Sequence, residues 1–196
     1  MNFKNRLKGA VTQTLVKALL EDARYRTIPL GVEEVIREVS VLSRRDYSGL
    51  ELPTVFRKMP DFFVADEDFS KAWLVEVKYR KVWDDEVRRK LGHEIFEQVK
   101  VWKPLFLTVF LGNSVKPGND SPVHSIGVIK LTYERGKIVC ITPDEETHKD
   151  WSEVEWSDFR RFQDVFKGVS SEWKNQTIMK ALGILRSLKG GDLFEK

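Results

Sequence analysis

Apolar residues recur every three or four positions in two long stretches of the chain, which is the spacing of one face of an α-helix. The first stretch predicts a helix from residue 3 to about residue 24, ending before Pro29. The second predicts a helix that begins near Asp84, where three acidic residues stand together, and stops at Pro104. Shorter helical segments are predicted over residues 32–42, 157–167 and 171–189.

Between the helices the pattern changes to short runs rich in β-branched and aromatic residues. Two of these runs, 61–66 and 72–79, are separated by a short polar stretch and predict a β-hairpin. Three further strands are predicted over residues 105–111, 125–134 and 137–142, the last two turned at Arg135-Gly136. The element order predicts an α/β fold in which a central sheet of mixed direction is flanked by helices.

No repeat, low-complexity tract or flexible linker divides the 196 residues, so a single domain is expected over 1–196. Residues 143–196, an acidic stretch followed by two predicted helices, form its C-terminal extension. The composition, 41% hydrophobic and 32% charged, is that of a folded protein rather than a disordered or membrane-embedded one. No secretory signal is visible, so a cytoplasmic protein without membrane contacts is expected. The single cysteine, Cys140, lies in an apolar run and is expected to be buried and unreactive.

Charge becomes informative only through its distribution. The net charge of +3 is too small to indicate a nucleic-acid partner by itself. Residues 143–156 carry six carboxylates and one lysine, so the rest of the chain is clearly basic. Its short basic clusters are either solvated faces or surfaces that contact phosphates. The cationic residues that follow the hairpin most closely are Arg80, Lys81, Arg88, Arg89 and Lys90.

The predicted hairpin brings two carboxylates and a lysine together. Alternation along its second strand puts Glu76 and Lys78 on one face and only apolar or aromatic residues on the other. If Asp66 pairs with Lys71, the register sets Asp61 directly opposite Glu76, with Cβ atoms ~5 Å apart. Two close carboxylates repel each other unless one is protonated or a cation lies between them.

Oxygen ligands of this kind suit Mg²⁺, with Mn²⁺ as its experimental substitute, because Mg²⁺ keeps several waters and takes ligands from substrate phosphates. A nearby lysine orients or deprotonates an attacking water, or offsets charge in the transition state. The pattern therefore indicates metal-assisted phosphodiester hydrolysis. The alternative is structural: Glu76 and Lys78 form an exposed charge pair, and Asp61 opens its strand after a proline turn.

Pro60-Asp61, fourteen intervening residues and Glu76-Val77-Lys78, with a helix before and a helix and strand after, resemble the PD-(D/E)xK nuclease superfamily. Type II restriction enzymes and archaeal Holliday-junction resolvases belong to it. The resemblance covers about residues 9–112 and implies a restriction endonuclease-like fold. It implies Mg²⁺ ligation by Asp61, Glu76 and the backbone carbonyl of Val77, and a water-assisting role for Lys78.

Gln98, with Trp102 four residues later, is similar to a Gln-x-x-x-aromatic element beside the active site of some members. Its alternative is an ordinary amide on a helix surface. One position departs from the family pattern: many members carry a glutamate on the first helix, and Gln13 occupies the matching place here. An amide adds no negative charge, so a substitute carboxylate would have to come from Glu21, Glu33 or Glu34.

The chemistry and the resemblance together predict a Mg²⁺-dependent endonuclease acting on DNA, with Asp61, Glu76, Lys78 and Gln98 at its catalytic site. The cationic residues named above are expected to contact the DNA phosphates. The alternative function is a weak or inactive member that serves as a nucleic-acid-binding or protein-interaction module. Related nucleases commonly pair, so a homodimer through the apolar face of residues 171–189 is a second prediction; packing of that face on its own domain is the alternative.

Overall fold

A mixed β-sheet forms the centre of the protein. The computed structural model describes residues 3–112, 125–141 and 148–169. Within these ranges one sheet contains the strands β1 Arg26–Pro29, β2 Phe62–Ala65, β3 Ala72–Arg80, β4 Leu105–Leu111, β5 Ile126–Glu134, β6 Lys137–Ile141, β7 His148–Asp150 and β8 Arg160–Arg161. Neighbours follow chain order from β1 to β7, and β8 pairs with β5. The β3–β4 pair is parallel, and the other described pairs are antiparallel.

Helices flank this sheet. The described helices are α1 Phe3–Asp22, α2 Val32–Val35, α3 Arg44–Gly49, α4 Thr54–Arg57, α5 Asp85–Val101 and α6 Phe162–Val165. Short 3₁₀ turns cover Arg37–Val41, Trp151–Glu153, Trp156–Asp158 and Lys167–Val169. The long helix α5 connects the parallel strands β3 and β4, because parallel strands cannot be joined by a tight turn. The predicted α/β fold with a mixed sheet between helices is confirmed at this level.

Two hydrophobic cores are built on this sheet. In the first, α1 and α6 pack against a layer of strand residues that includes Val75 and Val77 of β3. In the second, the buried residues of α5 pack against β4, β5 and β6. The second core contains Cys140, whose pKa burial raises to about 12, so the thiol is neutral. The expected burial of this cysteine is confirmed, and β3 lies between two packed layers.

Several predicted elements are confirmed. The helices α1 and α5 match the two periodic stretches, and the Asp84 carboxylate caps α5 by accepting the Val87 N–H at 2.8 Å. In the first hairpin the Asp66 N–H donates to the Lys71 carbonyl at 3.1 Å, as the predicted register requires. Within the described residues, no helix has the length and apolarity to span a membrane.

Other predictions were wrong. Residues 32–42 form one α-helical turn and a 3₁₀ turn rather than one helix, because β-branched residues are crowded there and disfavour a regular helix. Residues 157–167 do not form one continuous helix, because β8 pairs with β5 at Gly127 and only Phe162–Val165 is α-helical. The missing side chain of Gly127 leaves room for Trp156 and Phe159. The short strands β1, β7 and β8 and the helices α3 and α4 were not predicted. The predicted helix 171–189, with its dimer face, lies outside the described residues.

Candidate active site

The candidate site lies beside the first residue of β2, where β3 extends past its partner strand. The last pair of the two strands is Phe62 with Val75, so the β2-facing edge of β3 has no strand beside it from Glu76 onward. The Val77 N–H points to this open edge and donates to Asp61 Oδ2 at 2.7 Å. Because the N–H and C=O of one strand residue point to the same side, the Val77 carbonyl faces the same edge. We call this region the β3 notch.

Asp61 stands directly before β2 and enters the β3 notch opposite Glu76. Its second oxygen, Oδ1, accepts the Gln13 Nε2 amide of α1 at 2.7 Å. Burial and the charge of Glu76 raise the pKa of Asp61 to about 7, against the opposing effects of Lys78 and the Val77 hydrogen bond. The negative charge of Glu33 adds to the rise. Near neutral pH the Asp61 carboxyl is therefore divided between its neutral and ionised forms.

Glu76 is buried, with 4% of its surface exposed, and both of its oxygens have partners. Oε1 pairs with the Lys78 ammonium, and Oε2 accepts the Gln98 Nε2 amide of α5 at 2.7 Å. Gln98 also donates to the carbonyl of Met59 at 3.2 Å. The amide thus ties α5 both to Glu76 and to the turn that leads into Asp61. Gln98 is only 6% exposed, which contradicts the alternative of a helix-surface amide.

Lys78 extends from the same face of β3 as Glu76, and its side chain is 26% exposed. Burial lowers its pKa, but the negative charges of Glu76 and Asp61 outweigh burial, and the net pKa is raised. The lysine is therefore a cation in the absence of a metal. An ammonium donates hydrogen bonds and offsets negative charge, whereas it cannot accept a proton from water. The burial of Glu76 also contradicts the alternative of an exposed charge pair on this strand.

The donor set fits a hard divalent cation. Asp61 and Glu76 supply carboxylate oxygens from neighbouring strands, and the Val77 carbonyl faces the same notch. Carboxylate and carbonyl oxygens are suitable Mg²⁺ ligands, and a site with few protein ligands leaves positions for water and substrate. Within the described part of the chain, no group of three or more His, Cys, Asp or Glu side chains is placed to hold a metal ion. Among the described residues, the ligands at the notch are thus two carboxylates and a backbone oxygen.

Not every predicted site residue reaches the notch. Glu21 is exposed and pairs with Lys17 at 3.8 Å, so it does not replace the missing carboxylate at Gln13. Among the candidate substitutes, Glu33 is the one whose negative charge raises the pKa of Asp61. The Met59 carbonyl was not predicted, because its contact with Gln98 joins positions 39 residues apart and no local pattern encodes it.

The cationic residues after the hairpin are dispersed. The Arg80 guanidinium donates to Glu94 and to the carbonyl of the preceding residue, Tyr79. Lys81 is exposed directly after β3. Lys90 pairs with Glu86. Arg89 and Gln98 are nine residues apart on α5. Because each residue turns the helix by about 100°, their side chains lie on opposite sides of α5.

Arg88 and Arg89 line a cleft of about 810 Å³ on the side of α5 that faces Trp151. Arg88 pairs there with Asp85 at 2.8 Å and donates to the Val154 carbonyl at 3.1 Å. None of Asp61, Glu76, Lys78 and Gln98 lines this cleft. The structure therefore does not bring Arg88 and Arg89 together with the two carboxylates.

Comparison with protein-family models, with curated proteins and with solved structures gives no significant match.

Proposed function

We propose that this protein is a Mg²⁺-dependent nuclease that hydrolyses phosphodiester bonds in DNA, with its catalytic centre in the β3 notch. The observation that carries the proposal is the convergence of Asp61, Glu76 and the Lys78 ammonium at the open edge of one strand. A buried carboxylate pair is costly, and proteins commonly retain such perturbed groups where they serve chemistry.

Each residue has a role in this proposal. Asp61, Glu76 and the Val77 carbonyl hold the metal ion, which when bound acts as a Lewis acid and lowers the pKa of a water ligand. Lys78 donates a hydrogen bond to the attacking water or to a phosphate oxygen and offsets negative charge that develops there. Gln98 fixes the orientation of the Glu76 carboxylate. The Gln13 amide and the Val77 N–H do the same for Asp61.

The order of elements supports a restriction endonuclease-like fold and membership of the PD-(D/E)xK superfamily. A helix precedes the hairpin β2–β3, and α5 then leads to β4, which lies parallel to β3. Asp61 lies directly before the first residue of β2, and Glu76 and Lys78 lie in the middle of the adjacent strand β3. Gln13 departs from the family pattern, since many members carry a glutamate at this position. Glu33 supplies an additional negative charge near Asp61.

The proposal is tested with the full chain, Mg²⁺ or Mn²⁺, and a substrate panel of linear, nicked, flapped and four-way DNA, with single-stranded DNA and RNA controls. Asp61→Asn should lower the cleavage rate about 100-fold or more, because removing a charge-stabilising group at a catalytic site has effects of that size. Glu67→Gln is the matched control, since Glu67 is an exposed carboxylate in the turn of the same hairpin. Equal cleavage by Asp61→Asn and the parent protein would refute the assignment.

A second candidate function is nucleic-acid binding or protein interaction with little or no cleavage. The observation that favours it is Gln13, which places an amide next to Asp61 where a further carboxylate would strengthen metal binding. Mn²⁺ titration followed by calorimetry discriminates between the two functions. Saturable binding that is lost in Glu76→Gln supports the nuclease, whereas no Mn²⁺ binding together with tight DNA binding supports the module.

A further inference from the structure

The face of β3 that carries Glu76 and Lys78 continues to Arg80. Residues two apart on a strand point to the same side, so these three side chains form a row. Their contacts with α5 agree with this: Glu76 accepts from Gln98, and Arg80 donates to Glu94. Burial and, to a smaller extent, the positive charge of Arg80 lower the pKa of Lys78, whose net pKa the carboxylates raise. Arg80 therefore lies in the row of the site residues, directly beyond Lys78.

This row is open to solvent at its cationic end. The last pair between β2 and β3 is Phe62 with Val75, so the row lies along the part of β3 that β2 does not cover. The side chains of Lys78 and Arg80 are 26% and 20% exposed. Their positions are about 6.6 Å apart along the strand. A DNA strand with a phosphate at Lys78 thus has a second cation close by.

In the free protein a carboxylate binds that second cation. The Arg80 guanidinium donates through Nη2 to one oxygen of Glu94, Oε2, and through Nη1 to the carbonyl of Tyr79. The Glu94 side chain is 53% exposed, and an exposed ion pair of this kind contributes little because water and salt screen it. A guanidinium has five N–H donors in a planar fork that matches the oxygens of a phosphate. The contact with Glu94 is therefore one that a phosphate can replace.

We infer that Glu94 holds Arg80 in the place where a DNA phosphate binds, and that DNA binding transfers Arg80 from Glu94 to the backbone phosphate next to the scissile one. This inference rests on the proposed nuclease function and adds to it a competing anion within the protein. Arg80 and Glu94 are positioning residues, since they lie beyond Lys78 and do not contact the reacting atoms. A contact to the phosphate backbone fixes the position of the strand and is independent of base sequence.

The test is a double-mutant cycle at Arg80 and Glu94. Binding of a fluorescent DNA duplex is measured by anisotropy in EDTA over a range of KCl concentrations. Arg80→Gln should weaken binding and lower the slope of log K against log [KCl] by about 0.9, the effect of losing one phosphate contact. Arg80→Lys keeps the charge and should keep the parental slope. Glu94→Gln should tighten binding about two- to fivefold, because it releases Arg80 from an exposed ion pair. In the double variant this gain should disappear, since it acts through Arg80.

Glu97→Gln is the matched control for the loss of one negative charge. Glu97 lies on the same helix, its side chain is 44% exposed, and it pairs with Lys100 at 3.8 Å. Its substitution changes the net charge as Glu94→Gln does but leaves Arg80 paired. The DNA affinity of Glu97→Gln should therefore stay close to that of the parent protein.

Cleavage kinetics provide the second measurement. With Mg²⁺, Glu94→Gln should lower KM by the same factor as Kd and leave kcat within about twofold of the parent, because a contact made equally in the ground and transition states affects binding alone. The inference is overturned if Glu94→Gln binds DNA no more tightly than Glu97→Gln, or if its gain persists without Arg80. Cleavage by the parent protein would leave the nuclease assignment intact in either case. If the parent protein neither binds nor cleaves nucleic acid, both the inference and the proposed function fail.

Discussion

Replacing Asp61 by asparagine should stabilise the protein in the absence of divalent cations. In the folded state the pKa of Asp61 is raised from 3.8 to about 7, first by burial and then by the charge of Glu76. A carboxyl whose pKa is higher in the folded than in the unfolded state binds its proton more tightly when folded. The folded state is therefore favoured at low pH and loses this advantage as the pH rises from about 4 to about 7.

The size of the effect follows from the same values. A rise in pKa from 3.8 to about 7 corresponds to about 4 kcal/mol, at about 1.4 kcal/mol for each tenfold change in proton affinity. Asp61 keeps some contact with water, which weakens the electrostatic cost, so about 2 kcal/mol is the expected gain at pH 8. Asparagine still accepts the Val77 N–H, and the Gln13 amide can rotate to offer its oxygen to the new NH₂ group.

The assay is urea denaturation of the parent and Asp61→Asn proteins between pH 4 and pH 9 in EDTA. The difference in the free energy of unfolding should be small at pH 4, grow up to about pH 7 and stay constant above it. Glu67→Gln should show no such pH dependence. Adding Mg²⁺ should stabilise the parent but not Asp61→Asn, because a ligand that binds only the folded state raises its stability. An Asp61→Asn protein less stable than the parent at pH 8 would refute the reasoning.

Two further substitutions test contacts of the site, and a third tests the packing of α5 against Trp151. Lys78→Met should lower the free energy of unfolding by about 2 kcal/mol at pH 8 in urea denaturation, because it leaves the buried Glu76 without its cation; a stability equal to the parent's would contradict this. Gln98→Leu should cost about 1–3 kcal/mol in the same measurement, since it removes a buried donor to the Glu76 carboxylate. Gly92→Ala should lower the melting temperature measured by circular dichroism, because its Cβ would lie 2.5 Å from Trp151 Nε1. The free energy of unfolding should fall by about 1–3 kcal/mol. An unchanged melting temperature would show that Trp151 moves aside freely.

The central part of the fold and the pair of carboxylates were predictable because they depend on strong local patterns. The apolar stripe of α5 defines its buried face, and the alternation along β3 puts Glu76 and Lys78 on one side of the strand and Val75 and Val77 on the other. The turn between Asp66 and Lys71 then fixes the register that brings Asp61 to Glu76. These features combine periodicity with a short connection, so little depends on distant parts of the chain.

The elements that were missed depend on distant contacts. Strand β8 exists because two arginines pair with β5, and this pairing requires the space left by Gly127. Strand β1 has four residues, too few for a clear alternation, and is defined by its partner β2. In the site, the hydrogen bonds of Gln13 to Asp61 and of Gln98 to Met59 join positions 48 and 39 residues apart. No local pattern encodes such contacts.

The two amides that hold the carboxylates come from helices in different cores, α1 in the first and α5 in the second. Gln13 of α1 binds Asp61, and Gln98 of α5 binds Glu76. The carboxylate pair is therefore correctly oriented only while both helices are packed on the sheet. Proteins release single helices at a lower free-energy cost than global unfolding. Detachment of either α1 or α5 would thus disarrange the carboxylate pair while the sheet persists. The geometry of the notch is therefore intact only when both helices are packed in place.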